Sequence, residues 1–439
     1  MSIKTMQCLT LCLVAGTAAL AQEPFTVATA IRTAWRDQSG LRAGRALVEG
    51  KRDEAAGFAA LKLPTLTLNA QGVRTDEPMQ AFGMRLNQSR ITAMDFNPAS
   101  LNKPDAIMGF GGSAVVQQPL YAGGRISAAK WAGEYAAQAE SASQTRREQE
   151  TAMAIVEAYF GAQVAEQALL WVEDTRTWIL GLEAFVGARV QQGLMLESEL
   201  QRLKAVHAQV DAQKAEVVRQ VRAARSGLGL LTGSAPVEAP LATPLQAEGA
   251  ARDGSALTPV RADLQAAELQ AKAAGQAAKA ASGNLKPEVG LELGAGTLRQ
   301  SWHQGGTWTW AAVGVKWKVF SGPDRAKSNA AHAQARAAED MRTFKQQQAE
   351  HEVRVAREAL RAAEAKHAAA REALAASEES KRLREARHRE GLTPLTDVLD
   401  AEAARQGART LLLQSLYDLR TSRAALDLAT GAPIEGVTP

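Results

Sequence analysis

The sequence predicts a mostly α-helical chain that also supplies four amphipathic strands to a membrane β-barrel completed by identical copies. Three observations predict it: long proline-free runs with helical apolar spacing, four short segments of period-two alternation, and an internal duplication that places two such segments in each half. Length and composition permit this architecture. The 439 residues are 46% hydrophobic and 22% charged, which suits one large unit or two or three ordinary domains and excludes a disordered chain. Lys plus Arg number 51 against 47 Asp plus Glu, a net charge of +4 with no basic cluster, so nucleic acid is not an expected partner.

The chain opens with Lys4, an apolar core from Leu9 to Ala19, and Ala19-Leu20-Ala21 before Gln22, the pattern of an export signal with its cleavage site. Both cysteines, Cys8 and Cys12, lie in this leader, so a cysteine-free mature protein is expected. Cys12 does not stand at the end of the apolar core, where a lipid-acceptor cysteine would be. No later window is apolar for the roughly 20 residues a transmembrane helix needs. A membrane role therefore has to use strands.

Internal repeats organise the remainder. Leu61-Lys62-Leu63-Pro64 returns as Leu285-Lys286-Pro287, and the RVQQGL of Arg189 to Leu194 as the RHREGL of Arg387 to Leu392. The same offset, 198, separates Arg189 from Arg387 and Gly233 from Gly431, so the match is gapless there. The resulting organisation is a signal peptide over 1–21, a first repeat over 22–231, a linker over 232–258 carrying Pro236, Pro240 and Pro244, a second repeat over 259–431, and a tail over 432–439. The first repeat is longer because of one loop, Thr75 to Ala106.

Ser127 to Gln191 and Lys327 to Arg389 lack proline and are rich in Ala, Glu, Arg and Gln, which reads as long helix. About 65 helical residues reach roughly 95 Å, too far for a compact domain. The abundant alanine implies narrow helix seams. From the helices alone, an elongated coiled coil is an equal alternative.

The strands are expected at about 65–73 and 108–120 in the first repeat and about 287–296 and 308–320 in the second. Leu66, Leu68 and Ala70 oppose Thr67, Asn69 and Gln71; Val289, Leu291 and Leu293 oppose Glu288 and Glu292; Val313, Val315, Trp317 and Val319 oppose Lys316 and Lys318. Helices covering the apolar face would make a soluble sheet. The spanning length of the segments, their small and amide polar residues, and Trp308, Trp310 and Trp317 around one strand favour lipid. Glu288, Glu292, Lys316 and Lys318 are then expected in a barrel lumen, and the three tryptophans at the membrane interface or in a core. Unpaired edges cannot sit in lipid, and the smallest such barrels have about eight strands. Four strands per chain therefore require oligomers, and a trimer with about 12 strands leaves an aqueous passage where a dimer with about eight does not.

These residues resemble the TolC family of outer-membrane efflux proteins. The resemblance rests on Gln117-Gln118-Pro119-Leu120-Tyr121-Ala122-Gly123-Gly124-Arg125, on Arg261-Ala262-Asp263-Leu264 where the family usually has Arg-Pro-Asp-Leu, on Phe320-Ser321-Gly322, and on Thr396-Asp397-Val398-Leu399-Asp400-Ala401 after Gly391. It covers nearly all of the mature chain. It implies a homotrimer with a twelve-stranded outer-membrane barrel and a periplasmic α-barrel of long antiparallel helical hairpins. It further implies an exit duct of a tripartite efflux or type I secretion system, working with a periplasmic adaptor and an inner-membrane transporter of the RND, ABC or MFS type, and no enzymatic activity. The alternative is a periplasmic adaptor or scaffold coiled coil.

The i, i+3 spacing of Asp397 and Asp400 puts both on one helix face, either as solvated acids or, with three copies, as a ring of like charges that attracts cations. The resemblance places this ring at the periplasmic entrance; Glu199 is the matching acid of the first repeat. Gly193 and Gly391 mark the two helix reversals. There, Leu194, Met195, Leu392 and Leu395, with Pro394 in the second turn, are expected to dock an adaptor or to pack within the hairpin. His388 and Thr393 stand where the family's best-known member has its tyrosine and arginine latch. The six histidines show no metal-ligand spacing, the methionines around the first loop read as filler, and no nucleophile–base pair stands out, so no cofactor, metal or catalytic residue is expected.

Overall fold

The computed structural model describes residues 25–246 and 261–438; the expected signal peptide and residues 247–258 of the expected linker lie outside the described residues. The chain begins with α1 (Val27–Asp37) and α2 (Ser39–Ala60), enters β1 (Thr65–Thr75), and returns through β2 (Ile107–Ala122) into α5 (Arg125–Gln191) and α6 (Glu197–Thr232). The loop between β1 and β2 forms α3 (Pro78–Asn87), a 3-10 turn (Ala93–Phe96) and α4 (Pro98–Asn102). The second part runs α7 (Ala262–Gly283), β3 (Glu288–Ser301), β4 (Gln304–Lys316), α8 (Gly322–Arg389) and α9 (Leu395–Thr430). α5 and α8 have 67 and 68 residues, and α6 and α9 have 36 each. At 1.5 Å per residue the longest helices extend about 100 Å.

Heptad spacing holds the hairpins together. Val172, Ile179 and Val186 of α5 are buried at seven-residue intervals and meet Leu203, Val210 and Val217 of α6, spaced the same way. On α8 the buried stripe is Ala349, Ala356, Ala363 and Ala370, methyl groups at the seven-residue spacing where α5 and α6 use branched side chains. Below the sheet a larger core gathers Ile31 of α1, Ile155, Val156, Tyr159 and Phe160 of α5, and Leu228 of α6. Its polar pin is Tyr159, whose hydroxyl donates to Phe25 O at 2.7 Å and accepts from Thr243 N–H at 2.9 Å. The N-terminal segment and the start of the linker are thereby tied to the long helix.

The strands form one antiparallel sheet in the order β1-β2-β3-β4. Register sorts its two faces. Thr67, Asn69 and Gln71 of β1 align with Val115, Ser113 and Gly111 of β2, and the same face continues through Gln117, Glu292 and Ala312 to Glu288 and its partner Lys316. The opposite face carries Leu66, Leu68, Phe110, Leu293, Val313 and Val315, all exposed. Among the described residues no helix covers these side chains, so a sheet buried under its own helices is not what forms there.

Two expectations about the sheet need correction, the bounds of β4 and the place of Lys318. Trp308 and Trp310 pair with Gly296 and Gly294, on the polar face with Glu292 and Lys316, and Trp308 packs there against a small core, one of the two places expected for it. A Cβ at Gly294 would overlap the Trp310 ring, and one at Gly296 would stand 2.5 Å from Trp308 Cζ2, so glycine is what lets both indoles lie across β3. Strand β4 starts earlier than expected, because Ser301 pairs with Gln304 around a tight turn, and it stops at Lys316. β3 begins at Glu288 after Pro287, which has no N–H to offer, leaving residues beyond Lys316 without a ladder partner. Lys318 is therefore off the strand; its Nζ pairs with Asp324 Oδ2 at 3.0 Å at the start of α8. Trp317, just past the strand, is exposed and donates through Nε1 to Leu285 O at 3.1 Å.

Candidate functional site

The sites expected from the sequence fall at two ends of the helices: the hairpin corners, and the polar sheet face about 100 Å of helix away. Both corners close by the same main-chain motif. Gly193 N–H donates to Val190 O at 2.9 Å and Leu194 N–H to Arg189 O at 2.8 Å; Gly391 N–H donates to His388 O and Leu392 N–H to Arg387 O, both at 2.9 Å. Gly193 and Gly391 have φ of 73° and 78°, the left-handed conformation that a side chain disfavours. This geometry throws Leu194 and Leu392 outward, 67% and 73% exposed.

The other apolar corner residues divide between the two expected roles. Leu395 packs within the hairpin, 1% exposed, because α9 starts there in phase with buried Val398. Met195 is half-buried against the cluster of Val186, Leu203 and Leu395. Leu196, which the sequence reading passed over, is as exposed as Leu194; its signal was its place just before the first turn of α6. Pro394 is exposed and caps α9. His388 is buried against Phe185, and its Nδ1 lies 2.7 Å from Thr393 O, so these two residues brace one corner from within.

Asp397 and Asp400 sit on the side of α9 turned away from the Leu395–Val398 stripe, Asp397 half-buried and Asp400 exposed. Glu199 is half-buried in the first turn of α6. Leu200 and Leu399, the neighbours of Glu199 and Asp400, pack into the same apolar cluster, which brings the acids of both corners to one end of the molecule. Among the described residues none of the three carboxylates forms an ion pair. Arg384 Nη1 donates to the backbone oxygen of Asp397 at 3.3 Å.

One to two turns further along α9 is a buried ionic cluster that the sequence reading missed. Lys381 Nζ of α8 lies 2.7 Å from Glu402 Oε2, Arg405 Nη2 is 2.9 Å from Glu402 Oε1, and Thr175 of α5 donates its hydroxyl to the same oxygen at 3.1 Å. Asp174 of α5 receives Arg409 Nη1 at 2.9 Å, and the Lys381 ammonium stands 4.1 Å over the Trp178 ring. Burial by itself would raise the Glu402 carboxyl, but hydrogen bonds from Arg405 and Lys381 outweigh it and hold the group below the ordinary carboxylate range. The only sequence signal was a carboxylate on the buried stripe of a helix.

On the polar sheet face, Arg125 Nη2 reaches Glu288 Oε1 at 3.3 Å, while Glu292 accepts from Trp310 Nε1 at 3.1 Å and from Gln117 Nε2 at 3.3 Å. Arg261, of the Arg-Ala-Asp-Leu motif, is buried and bridges Asp263 at 2.7 Å and Glu352 at 2.8 Å, a packing role between α7 and α8. Among the described residues there is no group of three or more His, Cys, Asp or Glu side chains arranged to hold a metal, and no helix is long and apolar enough to cross a membrane.

Residues 257–432 match the family model described as outer membrane efflux protein. No curated protein matches the chain in sequence. Solved structures do match in fold. The Campylobacter jejuni CmeC outer membrane channel aligns at a TM-score of 0.81 and 14% identity, covering 92% of this chain and 85% of that one. The Vibrio cholerae outer membrane protein VceC aligns at 0.79 and 19%, covering 92% and 96%. The open state of the Neisseria gonorrhoeae MtrE outer membrane channel aligns at 0.77 and 20%, covering 94% and 90%.

Proposed function

We propose that this chain, which carries an outer membrane efflux protein domain and has the fold of the TolC-family channels, is the outer-membrane exit duct of a tripartite efflux or type I secretion system. The observation that carries the reading is the sheet. Its apolar face is bare, its other face is polar, and its outer strands β1 and β4 each pair on one side only. Every unpaired backbone group costs several kcal/mol in lipid, so edges of this length demand partners. Three copies supply about 12 strands, enough to join edge to edge around water.

In this arrangement the helices extend from the barrel into the periplasm and enclose a passive conduit. The polar face, with Glu288, Glu292 and Lys316, lines the lumen, and Trp317 sits at the membrane interface. Asp397, Asp400 and Glu199 ring the entrance. Leu194, Leu196 and Leu392 offer apolar contacts to a helical periplasmic adaptor, with an energised inner-membrane transporter supplying the driving force. The chain has no catalytic role. It is exported by a signal peptide over residues 1–21, and its two repeats descend from one unit.

Purified protein reconstituted in lipid tests this directly: a trimer with single-channel conductance is expected. A monomer without conductance, recovered only in the soluble periplasmic fraction, would instead favour an adaptor or scaffold.

A further inference from the structure

The loop between β1 and β2 does not project away from the barrel end; it lies on the polar sheet face. α3 turns Ala81, Met84 and Gln88 toward the sheet, where Ala81 and Met84 join Ile107, Leu298, Val73 and Trp308 in a small core. Gln88 is buried and donates through Nε2 to Met108 O at 3.1 Å. The sheet is shaped to receive it: a Cβ at Gly109 would stand 2.7 Å from Met84 Cε, and one at Gly306 would overlap the Asn87 carbonyl oxygen. The loop is also braced internally. Arg85 pairs with Asp95, Asp95 accepts from Thr92 N–H at 2.7 Å, and Phe82 meets Phe96 edge-on at 5.9 Å.

Contact as far as Trp308, four residues inside the β3–β4 turn, sets α3 about 13 Å within the strand region. Helical phase then points the side opposite Ala81, Met84 and Gln88 away from the sheet. That side carries Met79 and Leu86, 78% and 52% exposed. If the polar face lines the lumen, these two side chains aim at the channel axis. Twelve strands at about 4.8 Å spacing and a tilt near 40° give a backbone radius of about 12 Å, and a helix with its side chains is about 10 Å across. Three such helices inside that bore have no room to stay apart.

We propose that in the trimer the three α3 helices meet through Met79 and Leu86 and close the outer mouth with an apolar constriction that excludes water. This rests on the channel reading above and adds a second barrier, at the end opposite the acidic entrance. An apolar constriction gates by dewetting, so charged residues on the axis would open it.

The test uses intact cells and a membrane-impermeant maleimide carrying a polyethylene glycol chain. With the expected signal peptide removed, an introduced cysteine is the only thiol. Trp302→Cys at the β3–β4 turn reports the outside, and Ala312→Cys, on the polar face four residues beyond Trp308, reports the lumen past α3. The expected result is rapid labelling of Trp302→Cys, with Ala312→Cys slower by about tenfold or more. Adding Met79→Asp and Leu86→Asp, or replacing residues 77–105 with an Asn-Gly turn, should bring the two rates together. Oxidised Leu86→Cys should give covalent dimers. Equal rates with the native loop, or no cross-link, would overturn the constriction and leave the channel reading standing. Failure to label Trp302→Cys on intact cells while it labels in lysed cells would overturn both.

Discussion

Lys381 and Glu402 face each other at 2.7 Å with side chains 9% and 4% exposed, an ion pair on the buried side of the α8–α9 hairpin. Thr175 reaches the same carboxylate from α5, so the pair joins three helices close to the acidic end of α9. Removing Lys381 leaves the buried carboxylate with Arg405 as its remaining cation, a loss of up to about 3–5 kcal/mol. Lys381→Met should therefore lower the denaturation midpoint of the detergent-solubilised protein markedly, and Lys381→Met with Glu402→Leu should recover much of the loss. Equal destabilisation by the single and double variants would count against the pairing.

The same carboxylate sets an acid limit. Glu402 titrates below its unfolded value near 4.3, so its contribution is fully present above that pH and disappears as pH falls through the lower folded value. Thermal melts between pH 7 and pH 3 should show stability falling below about pH 4.3, with a shallower fall in Glu402→Gln. Parallel pH profiles would contradict the assignment.

At the proposed entrance, Asp397→Asn with Asp400→Asn should weaken block of single-channel current by multivalent cations added from the periplasmic side. The two carboxylates share a helix face and lack ion pairs among the described residues, so their charge is free to act on the passage. Unchanged block and conductance would reject them as a constriction.

For adaptor docking, Leu194→Asp with Leu392→Asp should reduce association with the adaptor by about tenfold or more, equivalent to at least ~1.4 kcal/mol. The melting temperature should barely move, since neither side chain is buried. A co-purification assay paired with a thermal melt separates these effects; unchanged capture would remove the tips from the interface.

Much of this architecture is written in local pattern. Period-two alternation located the strands because one face of the sheet is apolar along its length, and uninterrupted composition located α5 and α8. The same alternation puts Trp308 and Trp310 in phase with Lys316. Lys318 was misplaced because a strand ends where its neighbour does, and Pro287 lies on another segment. Leu395 and Leu392 look alike in sequence but differ in helical phase, one in the first turn of α9 and the other in the corner before it. The Lys381–Glu402 pair joins residues of separate helices that no local spacing relates. The fold of the first loop was equally hidden, since α3 is ten residues long and its buried face matches a sheet surface and not another helix.

At both corners the reversal is secured by peptide groups and a glycine, not by what Leu194 or Leu392 touches. Shape and recognition are thus chemically separable at these points. Selection can rewrite the exposed letters to suit a new binding companion while the bend itself persists.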